Sequence, residues 1–219
     1  MFSSKKQTNS VISVSDKAIS FITLDRDQGG FFVPDYNRAE LDDGVLSKIE
    51  ILKADFFLKI ATKLSQKIKQ KNIEILFPHE YFFFETVSFD NVTNDKKAHA
   101  RVKEFLKNIN IEEYPWFDTH QVDYTLYPDT DCYRVLFYGL KKDIYQSYHH
   151  IFTKIGFKKV TCVPDILAFD GYIGSDRASV IDVTLDMMRV IEFKHGLYSG
   201  EKKFQNSITQ FTKDIKKDI

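Results

Sequence analysis

Residues 12–24 read ISVSDKAISFITL, and no other stretch restricts the fold as much. Apolar and polar residues alternate up to Val14. The polar turn Ser15-Asp16-Lys17 follows, and alternation resumes from Ile19 to Leu24. A period of two marks a strand with one buried face, and a short polar turn between two such runs marks a β-hairpin. A hairpin this close to the N-terminus opens a sheet. Its first loop either faces a ligand or is an ordinary solvent turn, and the stretch alone leaves both readings open.

The rest of the chain alternates strand and helix signals. DRDQGG, residues 25–30, reads as a second turn before a short strand at Phe31-Phe32-Val33, and residues 35–44 read as a polar loop. Residues 45–52 carry another short strand. Phe57, Ile60, Ala61, Leu64 and Ile68 then recur at helical spacing within residues 53–70, with Lys and Gln opposite, which predicts an amphipathic helix on a sheet. IEILF, residues 73–77, is a buried strand closed by Pro78.

From Tyr81 the order is strand (81–89), helix (98–109), strand (120–127), strand (132–138), helix (144–155) and strand (158–163). Gly156 stands at the position where helices end in a left-handed residue. This β-α-β-β-α-β order is the ferredoxin-like plan and predicts an inserted subdomain. Beyond it come a short helix at 164–173, a strand at 178–183, a second hairpin turning at Lys194-His195-Gly196, and an apolar stripe of Ile208, Phe211 and Ile215 on a last helix. The expected division is 1–80, 81–163 and 164–219.

Composition excludes several classes. Lys+Arg and Asp+Glu both number 31, so no net field recruits nucleic acid or an anionic membrane. The first ten residues lack the apolar core of a signal peptide, and no apolar run reaches the length of a membrane span. Cys132 and Cys162 stand apart, so neither a zinc site nor a disulfide framework is expected, and a reduced cytoplasmic setting fits.

Five segments, in order, resemble the PilM family of actin-like type IV pilus assembly proteins, itself similar to the division protein FtsA. SVSDKAISFITL is similar to the family's DISDxSIKxVEL. LDDGVLSKIEILKADFFLKIATKL is similar to LPxGVIxNGEIKDxxAL, and IEILFPHEYFFFETVSF to VVxSLPExxxFxxVIEL. YRVLFYGLKKDIYQSYHHIFTKIGFKKVTCVPDILAF is similar to LLVAAxKEIVDSYLxxLxxAGLKPVxxExExxAL, and SVIDVTLDMMRVIEFKHG to LIVDIGxxxTxLSIFxxG.

The resemblance implies an actin-like, ribonuclease H-like α/β half-molecule with the inserted subdomain. It implies a cytoplasmic adaptor at the inner membrane that binds the tail of a membrane-anchored, PilN-like pilus protein. Two alternatives are an actin-like ATPase and the cytoplasmic part of a type II secretion assembly protein. It places a nucleotide site on Ser13, Ser15, Asp16, Ser20, Asp182 and Thr184.

That site is eroded. Ser13 replaces the family's first acidic residue, Ser20 replaces its polar or basic partner, and Thr184 replaces a glycine that lets backbone N–H groups approach a phosphate. Asp182 is retained. No cofactor is therefore expected, the alternative being weakly bound ATP with magnesium. The chain ends before the family's second large subdomain, which leaves a fragment and a short homologue both open.

The aromatic run Tyr81, Phe82, Phe83 and Phe84 is the expected partner site. On a strand Phe82 and Phe84 face one side and Tyr81 and Phe83 the other, so one pair fills a core and the other can line a groove. Trp116, beside Pro115, is either a lid over that core or a partner contact. His149 and His150 point about 100° apart on a helix and cannot readily share a metal. His79-Glu80 reads as the loop leading into the insert. The basic stretches 67–71, 202–203 and 213–217 read as solvated faces, with a position near acidic headgroups conceivable.

Overall fold

The computed structural model describes residues 9–15, 17–27, 30–66, 68, 70–129, 132–172, 177–183, 188–194 and 197–204. The expected last helix at 208–215 and the basic stretch 213–217 lie outside them, as do Asp16, Thr184, His195 and Gly196.

The opening hairpin is strand β1 (Asn9–Ser15) and strand β2 (Ala18–Asp27), antiparallel with Ile12 opposite Phe21 and Ser13 opposite Ser20. Strand β3 (Gly30–Glu40) adds to β2. Two stretches expected as turn and loop are therefore strand: 25–27 extends β2, and 35–40 extends β3. Their polarity follows from position. β3 is the edge of its sheet, and Tyr36, Arg38 and Glu40 alternate outward from it, a charged decoration that blunts an exposed edge.

Strands β4 (Leu46–Ser47) and β5 (Glu50–Ile51) form a minimal hairpin before helix α1 (Ala54–Ser65). The helix ends five residues earlier than its apolar spacing suggests. Ser65, buried, turns its hydroxyl back onto the Thr62 carbonyl, and Ile68 N–H closes a turn on Ser65.

Strand β6 (Asn72–Phe77) runs parallel to β1. Next come strand β7 (Phe82–Asp90), helix α2 (Asp95–Lys107), the one-turn helix α3 (Trp116–Thr119), strand β8 (His120–Pro128) and strand β9 (Cys132–Lys141). Helix α4 (Lys142–Ile155) and strand β10 (Lys159–Pro164) follow. Gly156 ends α4 at φ 115°, its N–H on the carbonyls of Phe152 and Thr153, a conformation that costs a residue with a Cβ.

All six elements of the expected β-α-β-β-α-β order are present, but they do not share one sheet. β7, β9 and β8 form a three-stranded sheet, while β10 pairs in parallel with β6 to give the order β10-β6-β1-β2-β3. The last strand of the expected insert thus joins the first sheet. The cause is α4. Its buried side chains Tyr148, Ile151 and Phe152 pack with Phe57 of α1 against Phe21 and Phe77, and β10 follows the helix back to that sheet. Burying each such side chain contributes roughly 1.5–3 kcal/mol.

The chain divides into two compact units. One comprises Met1–Thr86, Ala100–Tyr124 and Phe137–Asp165, and the other Val87–His99, Thr125–Leu136 and Ile166–Ile219. In the second, a 3-10 segment (Asp165–Tyr172) replaces the expected short helix, reaching back to the last residue of the first unit. Strands β11 (Arg177–Val183), β12 (Met188–Lys194) and β13 (Leu197–Phe204) then form an antiparallel meander. Ile191 and Phe193 are its buried side chains on β12. A separate cluster joins Val92, Ala98 and Tyr133, whose hydroxyl donates to Asp95 at 2.8 Å.

In the first unit the Phe83 ring occupies the space where a side chain at Gly139 would begin. Gly139→Ala should therefore destabilise the chain by about 1–3 kcal/mol through overpacking. Phe83→Leu in the same background should recover part of that loss in urea unfolding. An alanine that costs nothing would mean the ring yields freely.

Candidate functional site

The residues assigned to a nucleotide site fall in both units, and each set has its own geometry. On the first hairpin Ser13 is exposed and Ser20 half-buried across the ladder from it. Ser15 Oγ accepts the Ala18 N–H at 3.2 Å and lies 3.3 Å from the Ala18 carbonyl, so this serine closes the turn.

On the second hairpin Asp182 lies opposite Arg189, and its Oδ2 accepts Arg189 Nε at 2.7 Å. A charge-assisted bond this short belongs to the strong class. The retained carboxylate is thus committed to a cation of its own hairpin, and magnesium would have to displace it. Asp16 and Thr184, the other two residues of that set, lie outside the described residues.

The sequence reading missed a contact at the carboxyl ends of β6 and β10. His79 is buried, and Asp165 Oδ1 accepts its main-chain N–H at 3.0 Å and lies 3.3 Å from its Nδ1. Each residue follows a proline that ends a strand, Pro78 after Phe77 and Pro164 paired with Phe77. That repeated strand-proline-polar pattern was the available signal. The contact ties the exit toward β7 to the exit from β10.

The aromatic run separates as alternation requires. Phe83 stacks on Trp116 at 4.4 Å, meets His120 edge-on at 5.0 Å and covers Gly139. Trp116 also lies against Tyr114 and Phe137, so it is a lid on this core, as one of its two readings held. His120 caps α3 with Nδ1 3.2 Å from the Trp116 carbonyl, and burial lowers its pKa. Tyr81 lies in the 3-10 turn before β7 and is half-buried.

Phe82 and Phe84 take the opposite face with Tyr138 of β9, at ring distances of 6.5 Å between themselves and 6.2 Å from Phe82 to Tyr138. Phe82 is 8% exposed and Tyr138 6%, whereas Phe84 is half-buried. Near this face a cavity of about 50 Å³ is lined by Val122, Tyr138, Leu140, Tyr145, Val160 and Cys162. Burial pushes the Cys162 thiol up to about 12 and raises Tyr145 from the ordinary phenol value. Gln121, Asp123 and Thr161 complete the lining, so the wall is mixed, with a carboxylate beside the aromatic and aliphatic groups.

No protein-family model and no curated protein matches the sequence. Among solved structures the chain is similar to the PilM-PilN type IV pilus biogenesis complex, with TM-score 0.59, 9% identity, 96% of this chain covered and 65% of the other. It is also similar to the cytoplasmic domain of EpsL, an inner membrane component of the type II secretion system of Vibrio cholerae, with TM-score 0.51, 8% identity, 91% of this chain and 71% of the other. The chain shares the mixed α/β fold of these two structures. It spans just under two thirds of the length of the first of these structures. No helix among the described residues is long and apolar enough to cross a membrane.

Two outcomes follow. Calorimetric titration with Mg-ATP should give no saturable binding below the millimolar range, and micromolar affinity would contradict the reading of Asp182. The Cys162 thiol keeps its proton in the folded chain up to about pH 12, while the unfolded chain loses it near the ordinary value of about 8.5. The unfolded state thus sheds a proton first, and stability falls as pH rises through this window, by up to about 1.4 kcal/mol per pH unit. Unfolding between pH 8.5 and 10 should show a shallower fall in Cys162→Ala than in the parent.

Proposed function

We propose that this chain is a cytoplasmic adaptor of type IV pilus assembly, peripheral at the inner membrane, that binds the short tail of a membrane-anchored, PilN-like protein. In this reading it comprises a first actin-like subdomain to about residue 80, an insert beginning at Tyr81, and the start of a second subdomain from about residue 164. The observation that carries the proposal is the apolar face of Phe82, Phe84 and Tyr138, in a chain whose fold is that of the PilM-PilN complex. A strand presents alternate side chains to one side, so an extended peptide laid along such a face can seat every second residue in apolar contact.

Of Tyr81 to Phe84, the residue assigned to the partner is Phe84. Phe83 is half-buried but held under Trp116 and over Gly139, and Phe82 is too deeply buried to be offered whole. The alternative within the same fold is the cytoplasmic part of a type II secretion assembly protein, which the likeness to EpsL favours. An ATPase is disfavoured by the Asp182–Arg189 pair.

The test uses a synthetic peptide of the cytoplasmic tail of the single-span membrane protein encoded beside this one. Phe84→Ala should weaken its binding by about 1–2 kcal/mol, the size of an aromatic hot spot, and leave the thermal transition in place. Unchanged affinity, or affinity lost only together with folding, would move the partner site elsewhere.

A further inference from the structure

A second cavity, of about 330 Å³, opens at the amino-terminal ends of β6 and β10, the opposite edge of the sheet from His79 and Asp165. Its lining is polar. In the parallel register Lys159 stands beside Asn72 and Thr161 beside Glu74. Ser10, buried at the start of β1, donates from Oγ to Gln70 Oε1 at 2.7 Å. That bond fixes the amide with its oxygen on Ser10 and leaves its two N–H donors for another acceptor.

The backbone gathers cations at this edge. The Lys71 carbonyl accepts the N–H of Lys158 at 2.6 Å and of Lys159 at 3.3 Å, so two distant basic stretches are clamped together. None of the ion pairs among the described residues involves Lys71, Lys158 or Lys159. The backbone clamp brings exposed lysines from two distant parts of the chain to one strand end, where an anion can meet both charges. The lining residues include two lysines, Lys71 and Lys159, and one acid, Glu74, so their formal charge is positive in a chain whose net charge is zero.

The geometry points to a phosphate-binding pocket. Lys71 and Lys159 act as point charges, and Gln70, Asn72 and Thr161 as neutral donors. The volume lies at the lower end of small-molecule sites and exceeds a bare phosphate, so the ligand class is a small phosphate ester. The phosphoryl group comes either from a soluble ester or from a lipid headgroup, and the two sources separate experimentally.

The full 219-residue chain is titrated at low salt with inorganic pyrophosphate and with glycerol 3-phosphate. In parallel it is sedimented with phosphatidylcholine vesicles, with and without phosphatidic acid. The expected result is saturable binding of glycerol 3-phosphate, or pelleting only with phosphatidic acid. Binding of glycerol 3-phosphate assigns the soluble ester, binding of pyrophosphate alone overturns the ester class, and pelleting alone assigns the headgroup. Binding should fall about tenfold or more in Lys71→Gln/Lys159→Gln. It should tighten about threefold in Glu74→Gln, which removes a repelling charge. Thermal scans show whether each variant remains folded, and the Glu74 arm stands if the double variant does not. Absence of binding to every probe overturns the assignment, as does a folded double variant that keeps it or a Glu74→Gln that weakens it.

Discussion

The interaction on which the first unit depends is made by the Tyr148 side chain. Its ring lies 5.6 Å from Phe57 and 4.7 Å from Phe77, both edge-on, and its hydroxyl donates to the Ile49 carbonyl at 2.8 Å, with no exposure to solvent. One side chain thus joins α1, α4, β6 and the β4-β5 hairpin. A phenol inside a protein must satisfy its hydroxyl, because an unpaired one costs about 1–3 kcal/mol. Ile49 meets that need and fixes the small hairpin against α4. Burial keeps the phenol protonated well above its ordinary pKa, so the contact does not titrate near neutrality.

Once α4 is held there, the path of the next strand follows. β10 runs parallel to β6, and Val160, Cys162 and Pro164 enter the same buried layer as Ile73, Ile75 and Phe77. The element order was legible from periodicity, and so were the hairpin turn at residues 15–17, the strand at 72–77 and the end of α4 at Gly156. Sheet membership was not. A helix followed by a strand carries the same pattern whichever sheet it joins, and only the aromatic partners of Tyr148 and Phe152 decide it. The long β2 and β3 were hidden for a related reason, since the polar residues of an edge strand look like those of a loop.

Site residues were legible in proportion to how local their chemistry is. Ser15 closes the turn that its position implies. Asp182 was visible as a retained acid, but its engagement by Arg189 depends on hairpin register. His79 looked unsupported because Asp165 lies 86 residues away and meets it only through the parallel pairing of β6 and β10. Phe83 and Phe84 could be placed on opposite faces by alternation, yet what each face meets, Gly139 and Trp116 on one and Tyr138 on the other, depends on tertiary packing.

The parallel arrangement of β6 and β10 also gives the sheet two chemically different edges. At the carboxyl ends, prolines stop both strands, and the His79–Asp165 contact neutralises the polar groups where the chain departs. At the amino ends the ties are the Ser10–Gln70 bond and the Lys71 carbonyl, which holds the N–H groups of Lys158 and Lys159. Parallel strands commonly present ligand sites at their carboxyl ends. Here that end carries an internal tie, and the lysines gather at the other end. The same pairing that builds the core therefore gives the two ends of these strands different chemistry, a histidine–carboxylate tie at one and lysines at the other.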